Sequence, residues 1–110
     1  MNLKELTRVL ESFTEENIEF NEPHVSLRCE ENKITKGQVV HIMLHETSKL
    51  SHFSEDRPNI YKLYFKVSKS RQLKVIIDLV TQKRVMIRTV KIIDRKLYKN
   101  IRYIKGKKRG

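Results

Sequence analysis

The sequence predicts an α+β fold, with N-terminal helices packed on one face of an antiparallel β-meander and a basic C-terminal helix or tail after it. Three observations predict it. Apolar residues recur at helical spacing in the first half of the chain, they alternate with polar ones over about residues 61–89, and the polar linkers inside that second region are of hairpin length. With 110 residues and 38% hydrophobic content there is material for one domain with one core. The expected division is a single domain over 1–104 and a flexible basic tail over 105–110.

Leu3, Leu6, Leu10 and Phe13 lie on one side of a helix expected over about residues 3–16, with Lys4, Glu5, Arg8, Glu11 and Glu15 on the other faces. Pro23 suits a first helical position, because its missing N–H would have no partner there, and opens a second helix through about Glu31. Thr35 with Gln38 fits a capping box and starts a third helix, whose apolar side includes Val39, Val40, Met43 and Leu44. Gly37 weakens only its first turn. A strand near Leu50–Ser54 is expected beside the meander, and Asp56-Arg57-Pro58-Asn59 reads as a turn. Three strands then follow. Tyr61, Leu63, Phe65 and Val67 form the apolar set of the first, Leu73, Val75, Ile77 and Leu79 that of the second, and Val85, Ile87 and Thr89 that of the third. Beyond Asp94, Leu97, Ile101 and Ile104 return to helical spacing while Lys96, Lys99 and Arg102 face elsewhere.

Charge is divided unevenly along the chain. Residues 60–110 hold 17 Lys and Arg against only Asp78 and Asp94, a net +15, whereas residues 1–59 hold 7 basic against 11 acidic side chains, a net −4. The whole carries +11 at pH 7 and a pI near 10.0. A concentrated basic surface releases counterions from a polyanion, so RNA is the first expected partner and DNA the second. If the apolar sets face the helices, Lys62, Lys66, Lys74, Arg84 and Arg88 project from the opposite face together with Tyr64, where they could hold a phosphate backbone and stack a base. Lys96, Lys99 and Arg102 extend the same basic set. An antiparallel sheet also ordinarily wets one face with lysines, and that reading stands beside the first.

Several classes are disfavoured. The longest apolar runs are a few residues, far short of the roughly 20 that cross a bilayer, and the start of the chain lacks the apolar stretch of a signal peptide. A basic half without Trp and with few large apolar residues does not suit a membrane surface. A single cysteine, Cys29, allows no internal disulfide and no thiolate zinc cluster, and reads as a small buried filler. The expected location is cytoplasmic. No Gly-rich phosphate loop exists among Gly37, Gly106 and Gly110, and His41 and His45, one turn apart, have neither a following Glu in the metalloprotease pattern nor a second ligand pair. No metal and no cofactor are therefore expected.

His24, Arg28 and Glu31 project from one side of the second helix as a compact set of base, cation and acid. Imidazole titrates nearest neutrality and a guanidinium can hold a phosphate with two parallel bonds. Cleavage of RNA without a metal needs a group to take the 2′-hydroxyl proton, a cation for the charge on the phosphorane and a donor for the leaving oxygen. His24 could serve the first or third need, Arg28 or Arg88 the second. Alternatively His24 buttresses the helix, Glu31 pairs with Arg28, and Thr89 faces the core.

The run from Pro23 to Val39 resembles the signature of a family of small uncharacterised domains: a His, an Arg four later, a Glu-Arg-Gly-Ile group, then a capped helix reaching a Val. Ile87-Arg88-Thr89-Val90 is similar to the pattern that ends the family's last strand. The resemblance spans about residues 20–92 and implies kinship with RelE-like toxins and the barnase and colicin type ribonucleases, often paired with an antitoxin. It implies site roles for His24, Arg28, Arg88 and Thr89, and extends to Glu31. Asn32-Lys33 stands where the family has Arg-Gly, so the expected cation is replaced by an amide and shifted by one position. The function expected from all this is a toxin-type, metal-independent endoribonuclease. Its alternatives are a non-catalytic RNA- or DNA-binding module, or a protein-interaction domain whose basic face receives an acidic partner such as an antitoxin.

Overall fold

Helix α1 (Leu3–Ser12) starts at Asn2, whose side chain accepts from the Glu5 N–H at 2.8 Å, and buries Leu6 and Leu10 completely. It stops four residues short of the expected end. Thr14 donates both its N–H and its hydroxyl to Asn17 Oδ1, at 2.7 and 3.1 Å, and this local alternative to helical bonding sets a single 3₁₀ turn at Glu15–Asn17. Phe13 is still buried, from an extended conformation. The computed structural model describes residues 1–94; the expected final helix with Leu97, Ile101 and Ile104, the cations Lys96, Lys99 and Arg102, and the tail 105–110 lie outside the described residues.

Strand β1 (Ile18–Phe20) follows the turn and is an element that sequence periodicity does not reveal. Helix α2 (His24–Glu31) begins directly after Pro23, and helix α3 (Lys36–His45) carries the expected box: Gln38 N–H donates to Thr35 Oγ1 at 3.0 Å and Thr35 N–H to Gln38 Oε1 at 2.9 Å. Between them Lys33 takes a φ of 56°, a left-handed conformation that glycine adopts without cost. The Lys therefore occupies the position that is Gly in the resembling signature.

The meander is formed by β2 (Leu50–Arg57), β3 (Ile60–Lys66), β4 (Arg71–Thr81) and β5 (Arg84–Asp94). Its turns are tighter than expected. Asp56 and Arg57 belong to β2, leaving a two-residue turn at Pro58-Asn59 with Asn59 at φ 69°, and Val80 and Thr81 belong to β4, leaving Gln82-Lys83. The sheet order is β1-β5-β4-β3-β2; β2 to β5 pair antiparallel, but β1 pairs parallel with β5, so the sheet is not purely antiparallel. Leu63, Phe65, Leu73, Val75, Ile77, Val85 and Ile87 are fully buried with Leu6 and Leu10 of α1 and Val39 and Met43 of α3. Each such side chain contributes about 1.5–3 kcal/mol by leaving water.

A bulge in β5 decides what the other face carries. Ile77 pairs with Ile87 and Ile76 with Thr89, so Arg88 has no partner on β4 and the alternation slips by one residue. Val90 rather than Thr89 then enters the core. Thr89 belongs to the open face, contrary to its place in the expected apolar set, and Lys91 joins it there opposite Lys74.

Candidate nucleic-acid interface

Helix α2 continues the sheet edge where β1 ends. The Asn21 N–H donates to the Ile87 carbonyl at 2.9 Å, the Asn21 side-chain amide reaches the Arg88 carbonyl at 3.5 Å, and the Ile92 N–H donates to Asn32 Oδ1 at 2.9 Å. Asn32 also donates to the Arg28 carbonyl at 2.7 Å, closing the helix C-terminus. Side chains from the two ends of α2 thus satisfy β5 groups that have no neighbouring strand there. At the first turn Glu22 accepts from the Ser26 N–H at 2.8 Å, from the Ser26 hydroxyl, and from Lys36 Nζ at 2.9 Å. The Ser26 hydroxyl first, then Lys36, hold the Glu22 carboxyl down to about 2. Val25 and Cys29 point into the core, and burial pushes the Cys29 thiol up from its ordinary value.

With that face buried, His24 and Arg28 are left to line the cleft between α2 and the sheet. His24 Nε2 lies 3.0 Å from Thr89 Oγ1 in a part-buried contact. His24, Arg88 and Thr89 open onto one cavity of about 390 Å³, which Asn21, Asp56, Arg57, Ile60 and Ile76 complete. A neighbouring cavity of about 440 Å³ shares Ile76 and Thr89 with it and is lined by Arg28, Glu31, Asn32, Lys74, Val90 and Lys91. The two adjoin at Ile76 and Thr89, with His24, Arg57 and Arg88 in one and Arg28, Lys74 and Lys91 in the other. Arg28 Nη1 is held by Glu31 Oε2 at 2.7 Å, an exposed pair of the kind that contributes little to stability.

The other predicted cations divide into free and engaged. Lys62, Lys66 and Lys74 share the open face with Tyr64, as their register partners require. Lys62 Nζ is 3.8 Å from Asp56, and Arg84 is bound by both oxygens of Glu19 at 2.8 and 3.0 Å, so Arg84 sits at the far end of β5 with its charge already matched. Among the described residues Lys66, Lys74, Arg88 and Lys91 form no ion pair. Lys74 Nζ is 5.9 Å from the centre of the Tyr64 ring, and that ring is stacked on His52 at 4.1 Å and 10°. Sequence reasoning missed Lys91, Asn32 and His52. A signal for Lys91 exists, since Val85, Ile87, Val90 and Ile92 place a three-residue step inside an otherwise two-residue rhythm.

No family model, curated protein or solved structure matches this chain. Its site is defined by its own geometry. Among the described residues no three His, Cys, Asp or Glu side chains cluster as metal ligands, and His41 and His45 stand on the exposed side of α3 with ring centres 5.3 Å apart. No described helix is long and apolar enough to cross a membrane.

Proposed function

We propose that this domain binds RNA and cleaves it as a toxin-type endoribonuclease that needs no metal ion, with His24 as the proton-transferring group. The carrying observation is that His24 and Arg88 open onto the same cavity, which shares Ile76 and Thr89 with the one lined by Arg28, Lys74 and Lys91. Imidazole and phosphate-binding cations thereby face one another across a space that a nucleotide can enter. The 3.0 Å contact between His24 Nε2 and Thr89 Oγ1 fixes the ring at the wall of the cleft, and a substrate hydroxyl must displace Thr89 from that nitrogen. In the reaction the neutral imidazole, with Nε2 released from Thr89, takes the proton of a 2′-hydroxyl, the 2′-oxygen bonds to phosphorus, and the bond from phosphorus to the 5′-oxygen breaks. Water in the open cleft protonates the leaving oxygen. Arg88, with Arg28 released from Glu31, offsets the charge on the phosphorane. An acidic protein partner, such as an antitoxin, would silence the site by covering the same cations.

Purified protein incubated with RNA is expected to produce fragments ending in a 2′,3′-cyclic phosphate, and His24→Ala to slow this by about 10²- to 10⁴-fold. Cleavage that persists in the variant would remove His24 from the mechanism. A second reading, an RNA-binding module without catalysis, is favoured by one observation: Arg28 is already held by Glu31 and Arg84 by Glu19, so the free charge is largely that of sheet lysines. Intact RNA bound with steep salt dependence would select it.

A further inference from the structure

The row His52, Tyr64, Lys74, Lys91 crosses four adjacent strands in register on the open face. His52 and Lys74 therefore stand on opposite sides of Tyr64. The His52 ring lies parallel to the phenol at 4.1 Å and fixes the plane of that ring, while Lys74 spans the other side with its ammonium 5.9 Å from the ring centre. We propose that Tyr64, held upright by His52, is a base-stacking subsite for a nucleotide flanking the one in the cleft, and that it restricts the ligand to single-stranded RNA. This rests on the RNA reading above and deepens it.

The geometry supplies the reasons. Lys74 belongs to both places, since it also lines the cavity beside Arg28 and Lys91. A base seated on the Tyr64 ring would occupy the space that the ammonium now spans, and the flexible Lys74 stem would carry its charge to the adjoining phosphate. From Tyr64 to Lys91 is two strand spacings, about 10 Å at about 4.8 Å each. About three stacked steps at about 3.4 Å each, joining four nucleotides through three phosphates, cover that distance. The free cations on the face, Lys66, Lys74 and Lys91, match the charge of such a strand. A paired base in a duplex has both faces stacked and cannot reach an upright ring, whereas an unpaired base can.

A His–Tyr cross-strand pair could instead serve only to stabilise the edge of the sheet, and the test separates the two roles. Affinity would be measured by fluorescence anisotropy with a labelled, uncleavable 2′-O-methyl octanucleotide and with an abasic chain of equal phosphate number. Tyr64→Ala should weaken the octanucleotide about 5- to 150-fold and leave the abasic chain unchanged, while Tyr64→Phe keeps wild-type affinity for both. Should Tyr64→Ala fold poorly by its urea midpoint, Tyr64→Leu replaces it and carries the same expectation. Equal weakening of both chains, no weakening of either, or duplex bound as tightly as single strand would overturn the stacking subsite while leaving His24-dependent cleavage intact. Wild-type protein that binds neither chain would overturn the RNA reading as well.

Discussion

Asn32 is the clamp between α2 and β5, and its replacement by Ala tests whether that clamp holds the cleft together. Two bonds disappear: the Ile92 N–H loses its acceptor at 2.9 Å, and the Arg28 carbonyl loses one of its two donors, at 2.7 Å, keeping the backbone N–H of residue 32. An orphaned amide costs about 1–3 kcal/mol and a lost bond about 0.5–1.5 kcal/mol, but Asn32 is half-buried and water recovers part of both. The expected loss is about 2 kcal/mol, or roughly 8 °C in Tm at about 4 °C per kcal/mol. Asn32→Asp keeps an acceptor for the Ile92 N–H but sets a carboxylate oxygen against the Arg28 carbonyl and a negative charge at the helix C-terminus, so it should protect the Ile92 N–H from exchange without restoring wild-type stability. Urea unfolding measures the energies, and amide hydrogen exchange reads the Ile92 N–H directly. Wild-type stability and unchanged Ile92 exchange in Asn32→Ala would show that α2 is held on β5 by its buried residues and the Asn21 bonds without this clamp.

Further expectations follow from the same contacts. Lys33→Gly should stabilise by about 0.5–1 kcal/mol, because relief of a left-handed residue at φ 56° exceeds the added freedom of the unfolded glycine; a loss of stability in thermal unfolding would contradict it. Glu22 is charged in the folded state down to about 2 against an ordinary 4.5, so the stability it supplies is complete above pH 4.5 and drains away as pH falls toward 2. Glu22→Gln should therefore show a shallower acid limb than wild type in urea midpoints between pH 5 and 2.5, and equal limbs would refute the assignment. Lys74→Ala and Lys91→Ala should each make the slope of log affinity against log salt shallower by about 0.7 for single-stranded RNA. Arg84→Ala should leave that slope unchanged, because Glu19 already holds the guanidinium; a drop equal to that of Lys74→Ala would show Arg84 to be a phosphate contact.

Local patterns were legible where one residue's neighbours in the chain decide the outcome. Thr35 and Gln38 cap α3 as their spacing requires, and the two-residue rhythm of Leu63, Phe65, Leu73, Val75 and Ile77 puts those side chains in the core. The end of α1 was less legible, because Phe13 continues the helical spacing while the competing Thr14–Asn17 bonds break the helix. Strand β1 was invisible: three residues carry no period, and Ile18 becomes a strand residue only by meeting Val85.

The chain's own order of residues determined an α+β fold, a basic second half, and a helix that places His24 one turn before Arg28. Tertiary structure alone decided which side of the sheet receives Thr89 and Lys91, which cations are neutralised, and that Arg88 shares a cavity with His24. The physical reason is the bulge together with the clamps at Asn21 and Asn32. A one-residue slip in β5 inverts every side chain after Arg88, and bonds between residues 60 and 67 positions apart lay α2 over the inverted segment. Such long-range pairings leave no trace in local periodicity.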